Sequence, residues 1–142
     1  MQVPIRLQQA LDEFNTNFPR PGIPPLTFSL AYDLKNHWPK HYPFKRQQGV
    51  YCFVDSAGAL LYIGKTSCSN DFGYRLSGHF EYALDRTARA KNAQYQAAQY
   101  IYVISLPSGH GFEAPAIEEW LIARLRPSVN SMGNNASRQK TV

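Results

Sequence analysis

Two short apolar runs joined by a glycine-containing turn constrain the fold of this chain more than any other stretch. Residues 49–54 and 59–63 are rich in valine, tyrosine, phenylalanine, isoleucine and leucine, which favour β-strands. Between them lie Ser56, Ala57 and Gly58, and glycine readily adopts the positive φ that a tight turn needs. The pattern predicts a β-hairpin with a three-residue loop and a bulge position at Gly58.

Length and composition indicate one soluble domain. The chain has 142 residues, enough for a sizeable buried core. No apolar run approaches the length of a membrane span, and the first residues lack the apolar core of an export signal. With only Cys52 and Cys68, we expect no disulfide, a cytoplasmic protein and no membrane partner. The net charge of +5 mildly favours a polyanionic partner.

The N-terminal third begins with a predicted helix. Residues 3–15 place four apolar side chains at helical spacing, namely Leu7, Ala10, Leu11 and Phe14. Residues 17–26 contain five prolines and glycines and are expected to be irregular. Residues 28–32 fit either a short strand or the start of a helix.

Residues 36–48 interleave basic and aromatic side chains without any acidic residue. The basic members are His37, Lys40, His41, Lys45 and Arg46, and the aromatic members are Trp38, Tyr42 and Phe44. One interpretation is a nucleic-acid surface, with cations for phosphates and rings for bases. The other is a loop whose rings pack on the hairpin while its cations face solvent.

The residues after the hairpin predict a second helix, a third strand and a third helix. The second helix is predicted to open at residues 71–73 and to run to about Arg86, with Arg75, His79 and Tyr82 on one face. Residues 86–99 fit either a helix or a loop, and residues 100–106 predict a strand. The third helix starts at Pro115 and ends before Pro127.

Glu118 is the most unusual residue of the third helix. It lies within an apolar stripe formed by Ala114, Leu121, Ile122 and Leu125, whereas Glu119 points about 100° away towards solvent. A carboxylate in such a stripe is costly unless it is paired or bound to a cation. Glu118 is therefore either a salt-bridge partner of an arginine or a ligand of a divalent metal.

Several of these residues occur in the order typical of GIY-YIG nucleases. Gly49-Val50-Tyr51 and Tyr62-Ile63-Gly64 resemble the two tripeptides that name the family. Glu118, the following Leu121-Ile122, Arg126-Pro127 and Asn130 resemble the segment that holds its metal-binding glutamate. The resemblance covers roughly residues 49–130, and it includes Tyr51, Tyr62, Gly64, Lys65, Arg75, Glu118 and Asn130. Val50 replaces the usual isoleucine, and His79 resembles the histidine of some restriction-type members.

The resemblance implies an α+β fold in which helices flank a three-stranded antiparallel sheet. The strands would be residues 49–55, 59–64 and 100–106. Residues 1–48 would form an N-terminal helix and loop extension packed on the core, residues 49–131 the nuclease core, and residues 132–142 a flexible tail.

The resemblance also implies a divalent-metal-dependent DNA endonuclease. Glu118 would bind Mg²⁺ or Mn²⁺, which prefer carboxylate and phosphate oxygens. Arg75 would contact the scissile phosphate, with Lys65 also near the DNA. Gly49 and Gly64 would have structural roles, Gly64 by letting the backbone pass close to the site.

Proton transfer in such an enzyme would involve the tyrosines. Tyr51 would be the general base, and because free tyrosine titrates near 10 it would need a nearby cation, for which we expect Lys65. Tyr62 and His79 would bind the phosphate or water or assist proton transfer. Asn130 would brace the backbone beside the site. The simplest hairpin register places Tyr51 opposite Ile63, which leaves open whether both tyrosines reach one site.

The DNA is expected to need more cations than the catalytic groups provide. Lys40, Lys45 and Arg46 precede the first strand by a few residues, so we expect the N-terminal segment to form one wall of a DNA groove. DNA is favoured over RNA. Two other function classes stay open, a catalytically weak or inactive nucleic-acid-binding module of the same fold and a metal-dependent enzyme acting on small phosphate esters.

Overall fold

A computed structural model describes residues 2–130 of the chain and shows an α+β fold. The predicted tail, residues 132–142, lies outside this range. The helices are α1 (Ile5–Asn17), α2 (Phe72–Ser77) and α3 (Ala114–Leu125). The strands are β1 (Tyr32–Asp33), β2 (Gly49–Asp55), β3 (Leu60–Thr66), β4 (Phe80–Tyr82), β5 (Ala88–Ala90) and β6 (Ala98–Ser105). Short 3₁₀ turns occupy Ala93–Tyr95 and Gly111–Glu113.

The main sheet has four antiparallel strands in the order β1-β6-β2-β3. It contains the three predicted strands, and the two residues of β1 extend it beyond β6. Residues 28–32 are thus mostly irregular, with a single bridge between Phe28 and Ile104 and a strand that begins only at Tyr32.

The predicted hairpin between β2 and β3 is confirmed. Gly58 has a φ of +90°, and the Asp55 carboxylate accepts hydrogen bonds from the backbone amides of Ala57 and Ala59. The register differs by one residue from the simplest expectation, because Tyr51 pairs with Gly64 and not with Ile63. This difference places Tyr51 and Tyr62 on the same face of the sheet.

Helices α1 and α3 cover one face of the sheet. The predicted stripe of α1 is confirmed, since Leu7, Ala10, Leu11 and Phe14 are all buried. These side chains pack with buried residues of α3 and with those of the sheet face that includes Val50, Cys52 and Val54. Cys52 is therefore a buried free thiol within the apolar core, and Cys68 is free and exposed.

The other sheet face is covered by α2, the β4–β5 hairpin and part of the N-terminal segment. Its core contains aromatic and aliphatic side chains from all of these elements, namely Tyr32, Leu34, Tyr51, Phe53, Phe72, Leu76, Phe80, Tyr95, Ile101 and Val103. Tyr51 is thus buried between the sheet and α2. None of the helices in residues 2–130 qualifies as a membrane span.

The prediction that the second helix runs to about Arg86 is wrong. Asp71 caps α2 as expected, by accepting a hydrogen bond from the Tyr74 amide, but the helix ends at Ser77 with Gly78 at its C-cap. The chain then forms the β4–β5 hairpin, in which Asp85 binds the amide and hydroxyl of Thr87. Phe80, expected on a helix, instead anchors β4 in the aromatic core.

Candidate active site

Side chains from four elements converge where the edge strand β3 meets α2 and α3. Tyr51 of β2, Tyr62 of β3, Arg75 of α2 and Glu118 of α3 lie close enough to influence one another's ionisation. The two tyrosine rings have centroids 6.2 Å apart. The structure therefore brings both tyrosines of the sequence motif to the same place as the arginine and the glutamate.

Gly64 creates the space that Tyr51 occupies. It lies directly opposite Tyr51 in the β2–β3 pair, and a Cβ at this position would overlap the phenol ring of Tyr51. Glycine is required here because a larger residue would leave no room for the Tyr51 ring. Its backbone conformation is not the reason, since the φ of Gly64 is not in the positive range. Gly49, at the start of β2, also leaves space for a neighbouring strand, because a Cβ there would overlap the carbonyl oxygen of Ile104 in β6.

A chain of hydrogen bonds connects Tyr51 with His79 and Tyr95, which both follow α2 in the sequence. The Tyr51 hydroxyl is 2.8 Å from Nε2 of His79, and Nδ1 of His79 is 2.6 Å from the hydroxyl of Tyr95. His79 was predicted on a helical face with Arg75, but α2 ends at Ser77, and His79 contacts Tyr51 from the segment that follows the helix. Tyr82 lies on β4, exposed and packed against Trp38, and is not part of this chain.

Burial opposes ionisation of Tyr51 in the free protein. Desolvation raises the pKa of Tyr51 well above its ordinary value, and the neighbouring Tyr62 raises it further. The positive charge of Arg75 acts in the opposite direction. Lys65 was predicted for this role, but the cation that acts on the Tyr51 pKa is Arg75, and Lys65 acts on Glu118 instead.

His79 is neutral at physiological pH. Burial lowers the pKa of His79 to about 4, and the positive charges of Arg75 and Lys91 lower it as well. A neutral imidazole has one nitrogen that donates and one that accepts a hydrogen bond. His79 therefore joins the hydroxyls of Tyr51 and Tyr95 as an acceptor on one side and a donor on the other.

Glu118 has no bonded partner within the described part of the chain. It is partly buried, and its carboxylate forms neither a hydrogen bond nor an ion pair with residues 2–130. Desolvation raises the pKa of Glu118, while the charges of Lys65 and Arg75 act at longer range to lower it. The salt bridge considered in the sequence analysis is thus not formed among these residues. Glu119, by contrast, is exposed.

Glu118 is the only carboxylate that the described residues bring to this site. Residues 2–130 contain no group of three or more histidine, cysteine, aspartate or glutamate side chains suited to a metal ion. A site with one carboxylate suits Mg²⁺ or Mn²⁺ completed by water and phosphate oxygens, and it does not suit a fully protein-ligated ion such as structural zinc. An available, partly buried oxygen donor fits such a cation.

Asn130 supports the edge strand beside the tyrosines. Its side-chain oxygen accepts a hydrogen bond from the Ile63 amide, and its side-chain nitrogen donates one to the Ile63 carbonyl, both at 2.8 Å. The amide of Val129 also donates to the carbonyl of Leu61. These bonds satisfy the Leu61 carbonyl and both backbone groups of Ile63 on the open edge of β3. Asn130 thus braces the backbone between Tyr62 and Gly64.

The basic segment, residues 36–48, packs against the start of α2. The carbonyl of Lys45 accepts a hydrogen bond from the Gly73 amide, and that of Gln47 accepts one from Phe72. Trp38 and Tyr42 are partly buried and contact aromatic rings of the protein, whereas Lys40 and Arg46 are exposed. The segment therefore presents its cations to solvent and directs most of its rings inward.

An open cleft of about 740 Å³ lies next to the converging side chains. It is lined by Tyr74, Arg75, Ser77, Gly78, His79 and Tyr95. Arg75 is exposed, so its guanidinium is accessible to a ligand in this cleft while its charge acts on Tyr51.

Tyr95 belongs to this site but was not predicted from the sequence. It lies in a polar stretch with no clear periodicity, and the only local signal was Asn92, whose side chain caps the 3₁₀ turn through the Gln94 amide. That signal predicts a turn but says nothing about where the tyrosine ring points.

Comparisons of the chain with models of protein families, with curated proteins and with solved structures found no match.

Proposed function

We propose that this chain is a divalent-metal-dependent endonuclease of the GIY-YIG type that hydrolyses DNA phosphodiester bonds. The observation that carries the proposal is the convergence of Tyr51, Tyr62, Arg75 and Glu118 from four different elements. These residues are scattered over more than sixty positions of the sequence, and the motif predicted each of them as a site residue. A sheet built only for stability has no need of a partly buried carboxylate that no residue within 2–130 pairs with.

The charged residues suit a phosphodiester. Arg75 is exposed at the cleft and presents a planar guanidinium that matches phosphate oxygens. Glu118 would hold Mg²⁺ or Mn²⁺ together with oxygens of the substrate and water. The bound cation would neutralise the developing charge on the phosphate and make a coordinated water more acidic. Lys65, which acts on Glu118, adds positive potential on the same side.

The tyrosines and His79 would handle the protons. Tyr51 accepts a proton from the attacking water as its own phenolic proton moves to His79, to which its hydroxyl is hydrogen-bonded. Tyr62 is partly buried next to Tyr51 and is placed to orient the water or a phosphate oxygen. Negative charge on Tyr51 is favoured by Arg75, the cation that acts on its pKa.

A plasmid-nicking assay tests the proposal. We expect conversion of supercoiled plasmid to nicked or linear DNA with Mg²⁺ or Mn²⁺, and no conversion with EDTA. Cleavage that is unaffected by EDTA would contradict a metal-dependent mechanism. Hydrolysis of small phosphodiesters without cleavage of plasmid would instead favour the alternative function, a metal-dependent enzyme that acts on small phosphate esters.

One observation favours the alternative of a binding module with weak or no catalysis. Burial keeps both Tyr51 and His79 neutral at physiological pH, so neither is a strong base in the free protein. Under that alternative the protein binds DNA in a gel-shift or anisotropy assay while the plasmid stays intact with either metal. The two assays on the same preparation therefore separate the nuclease from the binding module.

A further inference from the structure

Tyr95 is buried, and its hydroxyl is directed at His79. The residue is 6% exposed and ends the 3₁₀ turn Ala93–Tyr95. Its ring packs on Phe53, Tyr62 and Phe80, with centroid distances of 5.3, 5.7 and 6.2 Å. The hydroxyl lies 2.6 Å from Nδ1 of His79, the nitrogen that faces away from Tyr51. Tyr95 therefore has one polar contact within the described residues, and that contact is with His79.

The direction of the hydrogen bonds follows from the charge beside Tyr51. The guanidinium of Arg75 faces the Tyr51 hydroxyl. The orientation of the hydroxyl in which its oxygen lone pairs point towards this positive charge is therefore favoured. The phenolic proton is then directed to Nε2 of His79, which must accept it. A neutral imidazole that accepts at Nε2 carries its proton on Nδ1, and Nδ1 donates to the hydroxyl of Tyr95.

We propose that Tyr95 is a positioning residue that holds His79 in the Nδ1–H tautomer and so keeps Nε2 free to accept the proton of Tyr51. The inference rests on the proposed function for its catalytic consequence. Tyr95 would act on His79 as the orienting member of a triad acts on its histidine, with a hydroxyl in place of a carboxylate.

The proton relay starts at the attacking water. As the water oxygen bonds to phosphorus, its proton moves to Tyr51 Oη, and the phenolic proton of Tyr51 moves to Nε2 of His79. The bond from phosphorus to the leaving 3′ oxygen breaks, its electron pair stays on that oxygen, and the oxygen takes up a proton from solvent water. The proton on Nδ1 stays in place, bound to Tyr95, and the extra proton on His79 passes to solvent in the cleft that His79 lines.

Nuclear magnetic resonance of protein labelled with ¹⁵N in histidine tests the tautomer directly. We expect the wild-type signal of His79, assigned by its loss in His79→Gln, to be that of the Nδ1–H form. Tyr95→Phe keeps the ring but removes the hydroxyl, and we expect it to shift the signal towards the Nε2–H form. Tyr102→Phe is the matched control, because it removes a hydroxyl bonded to Gln2 on the opposite sheet face. An Nε2–H form in the wild type, or an unchanged signal in Tyr95→Phe, would overturn the proposal.

Cleavage kinetics test the consequence. We expect Tyr95→Phe to lower kcat roughly ten- to hundredfold with KM unchanged, as part of the general acid–base contribution. Combined with His79→Gln, Tyr95→Phe should cause no further loss, because its effect passes through His79. Losses that multiply in the double variant would indicate a merely structural role and overturn the proposal. A wild-type protein that does not cleave DNA would refute the proposed function, while the tautomer measurement would still decide the role of Tyr95.

Discussion

At the scale of single residues, Glu118 lies where its own charge is unfavourable. Burial raises its pKa, and no residue within 2–130 pairs with the carboxylate. The folded protein therefore binds the Glu118 proton more tightly than the unfolded chain does. Stability consequently falls as pH rises through the range between the ordinary glutamate pKa and the raised one, and the penalty is present at pH 7.

Replacing this carboxylate should therefore stabilise the protein when no metal is present. We expect Glu118→Gln to have a higher Tm than wild type at pH 7 in EDTA, and a difference that shrinks at pH values below the ordinary glutamate pKa of about 4. Adding Mg²⁺ should raise the Tm of wild type and leave that of Glu118→Gln unchanged. A lower Tm for Glu118→Gln in EDTA would indicate that the carboxylate is paired after all.

Arg75 has two effects on the same site. Its exposed guanidinium is available to a phosphate, and its charge lowers the pKa of Tyr51. Losing a preorganised group that stabilises developing charge costs roughly 3–4 kcal/mol in other enzymes, so we expect Arg75→Ala to lower kcat about 10²- to 10³-fold. Arg75→Lys should recover only part of the rate, because an ammonium lacks the bidentate geometry.

Steady-state cleavage of a labelled duplex measures these rates. Arg6→Ala is a suitable control, since Arg6 is an exposed cation on α1, on the opposite side of the sheet. If Arg75→Ala cleaved with the wild-type kcat, Arg75 would not be part of the catalytic site.

At the scale of structural elements, the β2–β3 pair determines whether the two tyrosines meet. The pairing of Tyr51 with Gly64 allows the phenol to lie across the neighbouring strand, next to Tyr62. An added methyl group in this packed position would force the ring or a strand to move, at a cost of roughly 1–3 kcal/mol.

Gly64→Ala should therefore destabilise the protein and impair the site together. We expect a lower urea midpoint with an unchanged m value, and strongly reduced cleavage. In a Tyr51→Ala background the ring is absent, so Gly64→Ala should cost much less stability. An equal cost in both backgrounds would mean that the clash with Tyr51 is not the reason for glycine at this position.

The sequence was informative about elements whose signal is local. The β2–β3 hairpin was predictable because strand-favouring residues and Gly58 act within a few positions of each other, and α1 and α3 because their apolar stripes have a regular period. The end of α2 was not, since Leu76 and Phe80 fit helical spacing although Phe80 is buried as part of a strand. Gly78, a residue that often ends helices, was the one local signal against a longer helix. The packing of Phe80 in the core, which the periodic pattern does not reveal, decided the outcome.

The site was predictable only where a motif supplied the residues. Tyr51, Arg75 and Glu118 were named from the sequence. The position of Tyr51 relative to the other two depends on how β2 pairs with β3 and β6, which the sequence motif does not specify. The identity of the cation beside Tyr51 and the contact between His79 and Tyr95 depend on distances that residue spacing does not encode.

At the scale of the whole molecule, the basic segment packs on the element that carries Arg75. Backbone hydrogen bonds join Lys45 and Gln47 to the first turn of α2, and the side chains of Lys40 and Arg46 remain exposed. The net charge of +5 adds a general attraction for a polyanion. We therefore keep the expectation that this segment forms one wall of a DNA groove.

Salt dependence of binding tests that expectation. Each phosphate neutralised contributes about −0.9 to the slope of log affinity against log salt. We expect the triple replacement of Lys40, Lys45 and Arg46 by alanine to flatten the slope by up to about three units and to weaken binding to all sequences similarly. The fold should be unaffected, because the Lys40 and Lys45 backbone carbonyls that bind Tyr32 and Gly73 remain. Arg6→Ala should retain the wild-type slope, and an unchanged slope in the triple variant would mean that the segment is a packed loop with solvated cations.

Two adjacent glutamates compared in one cleavage assay decide whether Glu118 holds the catalytic metal. Glu118 is partly buried and lies within electrostatic range of Lys65 and Arg75, whereas Glu119 is exposed one residue further along α3. Both Glu118→Gln and Glu119→Gln remove one negative charge and preserve side-chain shape. With Mg²⁺ and supercoiled plasmid, we expect Glu118→Gln to show no cleavage while its DNA affinity stays close to wild type, and Glu119→Gln to cleave at the wild-type rate. Full cleavage by Glu118→Gln, or loss of cleavage in Glu119→Gln alone, would contradict the assignment of the site.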